Sequence, residues 1–335
     1  MALPGGIASN SITYNYDDFL ASTAAKYIKG MPTDSTFKEQ VTFDWVLSLD
    51  KGGCTPSGVW VEFPVQLGSY SGSTDLVFGG MDTITPQDAE VATVGKVTWY
   101  EKYLMAAISQ DKLEANKGSE LKYNYVKGQL DNAIDTQRAE FNTDLWASSQ
   151  NALKILSIAT AISTTTGSGT VETLGRGTYT NWNQTATNAG GSAFTSVGLN
   201  NMRTLYHTIS KGPTKGMPDT IFWDATVDAL YERLTDARER TEMATSGKGN
   251  KPVISQRPVF RSCEILWEPV DYPNSTTLRM LNSANWHHCP FRTDQPGAAR
   301  PPFNGLWYAY PVGRVGVLWC DALRWQGLVH NFLTS

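Results

Sequence analysis

Residues 52–95 carry Glu62, Asp75, Asp82, Asp88 and Glu90 but no lysine and no arginine. Val59, Val61, Phe63, Val65 and Leu67 advance in steps of two, the period of a half-buried strand. Val91, Val94, Val97 and Trp99 form the returning side. Between them, Gly68 to Asp75 and then Gly79-Gly80 are the small, polar and glycine residues of a turn-forming tip. The pattern predicts a long β-ribbon, which cannot bury both faces by itself. Either it lies on its own domain or its partner surface belongs to another copy of the chain. In the second case Tyr70, Asp75, Phe78, Asp82, Asp88 and Glu90 are the candidates for intersubunit contact.

The remainder of the 335 residues is enough for one elaborate or two intimate domains. With 41% hydrophobic and 18% charged residues the composition is that of a soluble globular protein. A net charge of -4 argues against tight neutralisation of nucleic-acid phosphates, which needs concentrated Lys and Arg. The start, Met1-Ala2-Leu3-Pro4-Gly5-Gly6, lacks the basic and apolar runs of an export signal, and Ala152–Ile162 is too short to span a bilayer. The expected setting is a cytoplasm, where the scattered Cys54, Cys263, Cys289 and Cys320 are free thiols.

Motifs for chemistry are sparse. In Trp286-His287-His288-Cys289 the metal-binding types are adjacent, so an extended chain points them to opposite faces; packing beside Trp286 and Pro290 is expected, and zinc is not. Gly167-Ser168-Gly169 and Gly175-Arg176-Gly177-Thr178 resemble fragments of a phosphate loop, but no Gly-Lys-Ser/Thr follows. A hydrolase would have to use His207, His287, His288 or His330, none of which has a carboxylate at motif spacing. No cofactor and no metal is expected.

Elements follow from periodicity. Lys96–Ile108 reads as a strand, and Glu120–Lys154 as a long helix with Val126, Leu130, Ala133, Ile134, Gln137, Phe141 and Leu145 along one face. Its packing positions are Val126, Leu130, Ile134, Phe141 and Leu145. Ser196 is the expected N-cap of a helix burying Leu199, Met202, Tyr206 and Ile209, with His207 beside the stripe as a structural histidine. Thr220–Trp223 reads as a short buried strand, with Asp224 capping a helix that buries Val227, Leu230, Tyr231, Leu234 and Ala237. Strands are expected at 265–267, 278–281, 305–310 and 315–320. From Lys251 to Ser335 eight basic residues face five acidic ones, so contacts between the basic-free ribbon of one copy and this region of another have an electrostatic rationale.

The runs Gly95-Lys96-Val97-Thr98-Trp99-Tyr100, Lys122–Trp146, Leu199–Ile209, Pro218–Leu234 and Leu318–Leu328 follow one another in an order that resembles the major capsid proteins of tailed bacteriophages. The resemblance covers nearly the whole chain and rests on the succession of elements. It implies an α+β fold with an N-arm over 1–37, a peripheral-domain segment over 38–58 and an extended β-hairpin loop over 59–97. A peripheral domain over 98–191 then includes the spine helix at 120–154, an axial domain covers 192–312, and the chain returns to the peripheral domain over 313–335.

It also implies hexamers and pentamers of an icosahedral shell, assembled in a host cytoplasm and enclosing double-stranded DNA without sequence-specific contacts. Portal and decoration proteins would be partners, and no membrane is involved. The alternative within the same architecture is an encapsulin compartment around a cargo enzyme. Some relatives join subunits through a lysine on the extended loop; here no lysine lies between Lys51 and Lys96, so no such covalent mesh is expected. The segment Met1–Lys26 has no coiled-coil pattern, and a separate scaffolding protein is therefore expected.

Overall fold

The computed structural model describes residues 39–54, 58–66, 92–115, 125–212, 216–234, 259–261, 263–269, 271–292, 300–303 and 307–334. The chain divides into two compact units: Met1–Thr36, Leu104–Asp135 and Pro296–Val312 form one; Phe37–Tyr103, Thr136–Gln295 and Gly313–Ser335 form the other. In chain order the elements are α1 (Val41–Ser48), β1 (Trp60–Gln66), β2 (Ala92–Thr98), β3 (Tyr100–Ser109), α2 (Gln110–Ala115) and α3 (Tyr125–Leu145). Next come α4 (Ile158–Ala161), β4 (Thr170–Val171), β5 (Leu174–Gly175), β6 (Thr185–Asn188), α5 (Phe194–Ile209), β7 (Thr220–Asp224) and α6 (225–234). The last are β8 (Val259–Phe260), β9 (Cys263–Glu268), β10 (Thr277–Leu281), β11 (Trp286–Arg292), β12 (Arg300–Phe303), β13 (Trp307–Cys320) and β14 (Gly327–His330).

In the smaller unit, β12 runs antiparallel to the first part of β13, with Arg300 opposite Ala309, Phe303 opposite Trp307 and a register shift between them. Ile108 and Val312 are fully buried.

The larger unit is organised by a six-stranded sheet in the order β6-β14-β10-β7-β9-β8. Its central strands are buried on both faces, which explains why they read as continuous apolar runs rather than alternating ones. Successive side chains point to opposite faces, and the sheet uses this to feed two cores. Ile221, Trp223, Ile265, Leu278, Met280 and Val329 join Phe194, Met202, Leu205 and Tyr206 of α5. The alternate residues Phe222, Leu266, Leu281 and Leu328 join Trp45, Phe141, Leu145, Trp146, Trp286 and Trp319 on the other side.

A buried polar group ties this second core together. Glu268 accepts hydrogen bonds from the Thr42 amide (3.1 Å), the Thr42 hydroxyl (2.6 Å) and Asn142 Nδ2 (3.0 Å). Trp146 Nε1 donates to Thr42 Oγ1 at 2.9 Å, and the Phe43 amide donates to Asn142 Oδ1 at 3.2 Å. One carboxylate thus joins α1, the end of α3 and β9. Burial pushes the Glu268 carboxyl above its ordinary range, against the lowering effect of its donors from Thr42 and Asn142.

Several expected boundaries move. Lys96–Ile108 is divided between β2 and β3 at Trp99, whose indole donates to the Gly58 carbonyl at 3.1 Å. The strands expected at 305–310 and 315–320 are one 14-residue β13. The long helix ends at Leu145 and not at Lys154, because Ser157 Oγ takes the free carbonyls of Leu145 (3.2 Å) and Ala147 (2.6 Å) and its own N-cap role starts α4. Helix α5 begins at Phe194, two residues before the expected cap; Ser196 lies in the first turn and donates to the Ala193 carbonyl at 2.8 Å. Asp224 caps as expected, accepting from the Thr226 amide at 3.1 Å.

Candidate assembly interface

The ribbon's stem is a two-stranded antiparallel hairpin, with Trp60 opposite Thr98 and Gln66 opposite Ala92. Its alternation holds from Val61 to Val65, while Val59 is exposed ahead of the strand and Leu67 lies outside the described residues. Phe63 and Val65 are buried, and Phe63 stacks on Trp319 at 6.4 Å between ring centroids. Phe63 also faces Gly95 across the strands, and a Cβ at Gly95 would lie 2.4 Å from the Phe63 ring. Gly95→Val should therefore destabilise the protein by about 1–3 kcal/mol through overpacking, measured as a lowered urea midpoint. An unchanged midpoint would mean the stem does not rest on the body.

The opposite face is open: Trp60, 49% exposed, and Val94, 46% exposed, lie on it, and Val59, just ahead of β1, is 73% exposed. Lys96 Nζ bridges Glu62 at 2.9 Å and sits 5.4 Å over the Trp60 ring, and the indole donates to Glu62 at 2.9 Å. The hydrogen bonds from Lys96 and Trp60 hold the Glu62 carboxyl below its ordinary range. The root is fixed: the Lys96 amide donates to the Glu172 carbonyl (3.1 Å) and to Thr173 Oγ1 (3.2 Å) at the β4–β5 turn. The stem is a base whose outer face sets Trp60 and Val94 around the Glu62–Lys96 pair. Tyr70, Asp75, Phe78, Asp82, Asp88 and Glu90 lie outside the described residues.

On α3, Phe141 and Leu145 are buried, and Leu130 and Ile134 are half-buried; the Val126 side chain lies outside the description. Gln137 is buried on the same stripe, where its Nε2 donates to the Lys102 carbonyl at 3.0 Å. Asp144 is buried between Lys102 (2.7 Å) and Lys154 (2.6 Å).

Three of the four histidines have structural partners. His287 and His288 point to opposite faces of β11, as expected. His287 Nε2 meets Asp321 Oδ2 at 2.8 Å, a carboxylate 34 positions away that motif spacing could not reveal. That bond raises the His287 pKa against the lowering effect of burial. Asp321 also accepts from the Trp319 indole at 2.9 Å, so the pair is directed at a tryptophan rather than at a nucleophile. His207 Nε2 accepts from Arg261 Nη1 at 3.1 Å. Arg176 of the phosphate-loop-like phrase turns inward to bind carbonyls and presents nothing to a phosphate. Among the described residues no group of His, Cys, Asp and Glu could hold a metal, and no helix is long and apolar enough to cross a membrane.

No protein-family model matches the sequence, and no curated protein matches it. Solved structures do. The capsid of cyanophage A-1(L) is similar with a TM-score of 0.63 at 11% identity, over 92% of this chain and 97% of that one. The SrpI encapsulin of Synechococcus elongatus gives 0.58 at 11% identity, over 100% and 98%. The capsid of the native GTA particle gives 0.58 at 12% identity, over 99% and 100%. Matches of this extent span whole subunits on both sides, so the chain has the α+β major-capsid fold found in tailed-phage shells and encapsulins.

Proposed function

We propose that the protein is a shell subunit: the major capsid protein of a tailed bacteriophage, assembling with itself into hexamers and pentamers around double-stranded DNA. The observation that carries this reading is the end-to-end likeness to shell subunits, in which almost nothing of either chain is left over for another activity. The open face of the hairpin stem supports it, because a hairpin with Trp60 and Val94 outward suits burial against a neighbouring copy. Scaffolding, portal and decoration proteins belong to the same proposal, and the virion is then the protein's location. With no lysine between Lys51 and Lys96, cohesion of the shell is noncovalent along the loop.

A second reading, an encapsulin shell around a cargo protein, is favoured by the likeness to SrpI across the full chain. Contents separate the two. Purified particles should protect double-stranded DNA from nuclease; particles that instead hold one stoichiometric foreign protein and no DNA would establish the encapsulin reading.

The shell reading itself is tested at Trp60. Trp60→Ala removes half-exposed surface, so the variant should keep its thermal midpoint within a few degrees while the material pelleting as large particles falls by about tenfold or more. Equal pelleting of the two proteins would remove the stem from the interface.

A further inference from the structure

We propose that Cys54 and Cys289 are a redox pair that closes into an intramolecular disulfide and staples the chain leading into the hairpin to strand β11. The geometry is local and specific. The turn from Lys51 to Cys54 is closed by the Cys54 amide donating to the Lys51 carbonyl at 3.0 Å, with Gly52 and Gly53 at φ +56° and +71°. A Cβ at Gly52 would lie 2.8 Å from both the His287 and Trp319 rings, so only glycine lets the turn lie this close to β11 and β13. Two bonds hold it alongside β11: the His288 amide donates to the Asp50 carbonyl at 3.0 Å, and Cys289 Sγ donates to the Cys54 carbonyl at 3.7 Å. The neighbouring Cys54 also helps to raise the pKa of the Cys289 thiol.

The other cysteines are placed differently. Cys263 and Cys320 are fully buried; Cys263 donates to the Pro218 carbonyl at 3.2 Å, and Cys320 lies beside the buried Glu172 carboxyl. Only Cys54 is partly exposed, and it lines a cavity of about 410 Å³ shared with Gly52, Phe63, Trp319 and Asp321. The cavity gives a small disulfide such as oxidised glutathione a route to one sulfur of the pair.

The chemistry balances with that oxidant. The Cys54 thiolate attacks one sulfur of the small disulfide, the S–S bond breaks, and one thiolate leaves and takes up a proton. The Cys289 thiolate then attacks the Cys54 sulfur and expels the second small thiol, so two electrons and two protons pass from the cysteines to two released thiols. Burial, with the Cys54 hydrogen bond, pushes the Cys289 thiol up to about 12, so its thiolate fraction and the closing step should rise about tenfold per pH unit near neutrality. The pair therefore stays reduced in a thiol-rich cytoplasm and closes on release into an oxidising medium. This inference is independent of the shell reading, since it concerns a single folded chain.

The full-length protein, freed of reductant, is incubated with oxidised glutathione at about pH 9, where closure is faster than at neutrality. Thiols are then counted in denaturant and peptides mapped without reduction. Two of the four thiols should disappear, with Cys54 and Cys289 in one linked peptide pair and no dimer band on a non-reducing gel. The thermal midpoint should rise by about 5–10 °C, since the bridge joins positions 235 residues apart. Cys54→Ser, a one-atom change at a half-buried site, should fold normally and leave Cys289 reduced. Four intact thiols, a persistent glutathione adduct on Cys54, or a link to Cys263 or Cys320 would overturn the proposal.

Discussion

Arg176→Met should cost about 3–5 kcal/mol of stability, enough to lower the urea midpoint substantially without altering any surface group. The guanidinium is 3% exposed and donates to Thr165 O and Ser163 Oγ through Nη1, both at 2.7 Å. Nη2 donates to Thr160 O at 2.8 Å and Ala161 O at 2.6 Å. Thr160 and Ala161 lie at the C-terminal end of α4, where carbonyls lack intrahelical partners and carry the negative end of the helix dipole. A buried cation here is compensated by dipoles rather than by a carboxylate. Methionine fills most of the volume but supplies no donor, so the Thr160 and Ala161 carbonyls lose theirs, while Thr165 O keeps Ser163 Oγ at 3.1 Å. Arg176→Lys should recover only part of the loss, because an ammonium cannot reach both sides of the fork at once. A midpoint shift of less than about 1 kcal/mol for Arg176→Met would mean that water takes over the carbonyls and that the clamp is dispensable.

That clamp also marks where the sequence stops being readable. The stem of the ribbon, β7, the cap Asp224 and the buried stripe of α5 follow from local periodicity and local chemistry, although α5 starts ahead of its expected cap. The order of elements was legible too, since it resembles that of the shell proteins whose fold the chain has. What was not legible depends on partners far along the chain. Arg176 sits in a Gly-Arg-Gly-Thr phrase that looks like an exposed loop, and nothing nearby says that its four acceptors come from residues 160–165. Glu268 and Thr42, 226 positions apart, carry no motif at all, yet their bond is part of the core. The end of α3 fails for the same reason: Ser157 halts it from twelve residues beyond Leu145.

The two adjacent histidines of β11 should give opposite responses to acid, and His288 should dominate. Its ring is 3% exposed, stacked on Tyr100 with Nε2 at 3.1 Å from the phenol oxygen. Burial, and secondarily the Arg314 charge, push its pKa from 6.5 to about 4. Between these values the unfolded chain binds the proton and the folded chain does not. The stability from neutral His288 is therefore complete above about pH 6.5 and is lost as pH falls toward about 4, a change of about 3 kcal/mol. His287 runs the other way. Asp321 raises its pKa, so its contribution is complete below about 6.5 and fades as pH rises through the folded value. Burial likewise raises Glu172 and Glu268, whose protonation in the folded state favours folding in acid. The wild-type curve mixes these signs, and a difference between proteins isolates one of them. His288→Gln keeps a hydrogen-bonding partner for Tyr100 but cannot take up a proton. At about pH 7 the variant should be less stable by about 1 kcal/mol for imperfect packing; by about pH 4 it should equal or exceed the wild type, the gap having moved by about 3 kcal/mol. Urea unfolding curves that stay parallel for the two proteins across that range would show that His288 is protonated in the folded state at little cost, and that the Tyr100 and Arg314 surroundings do not exclude the charge.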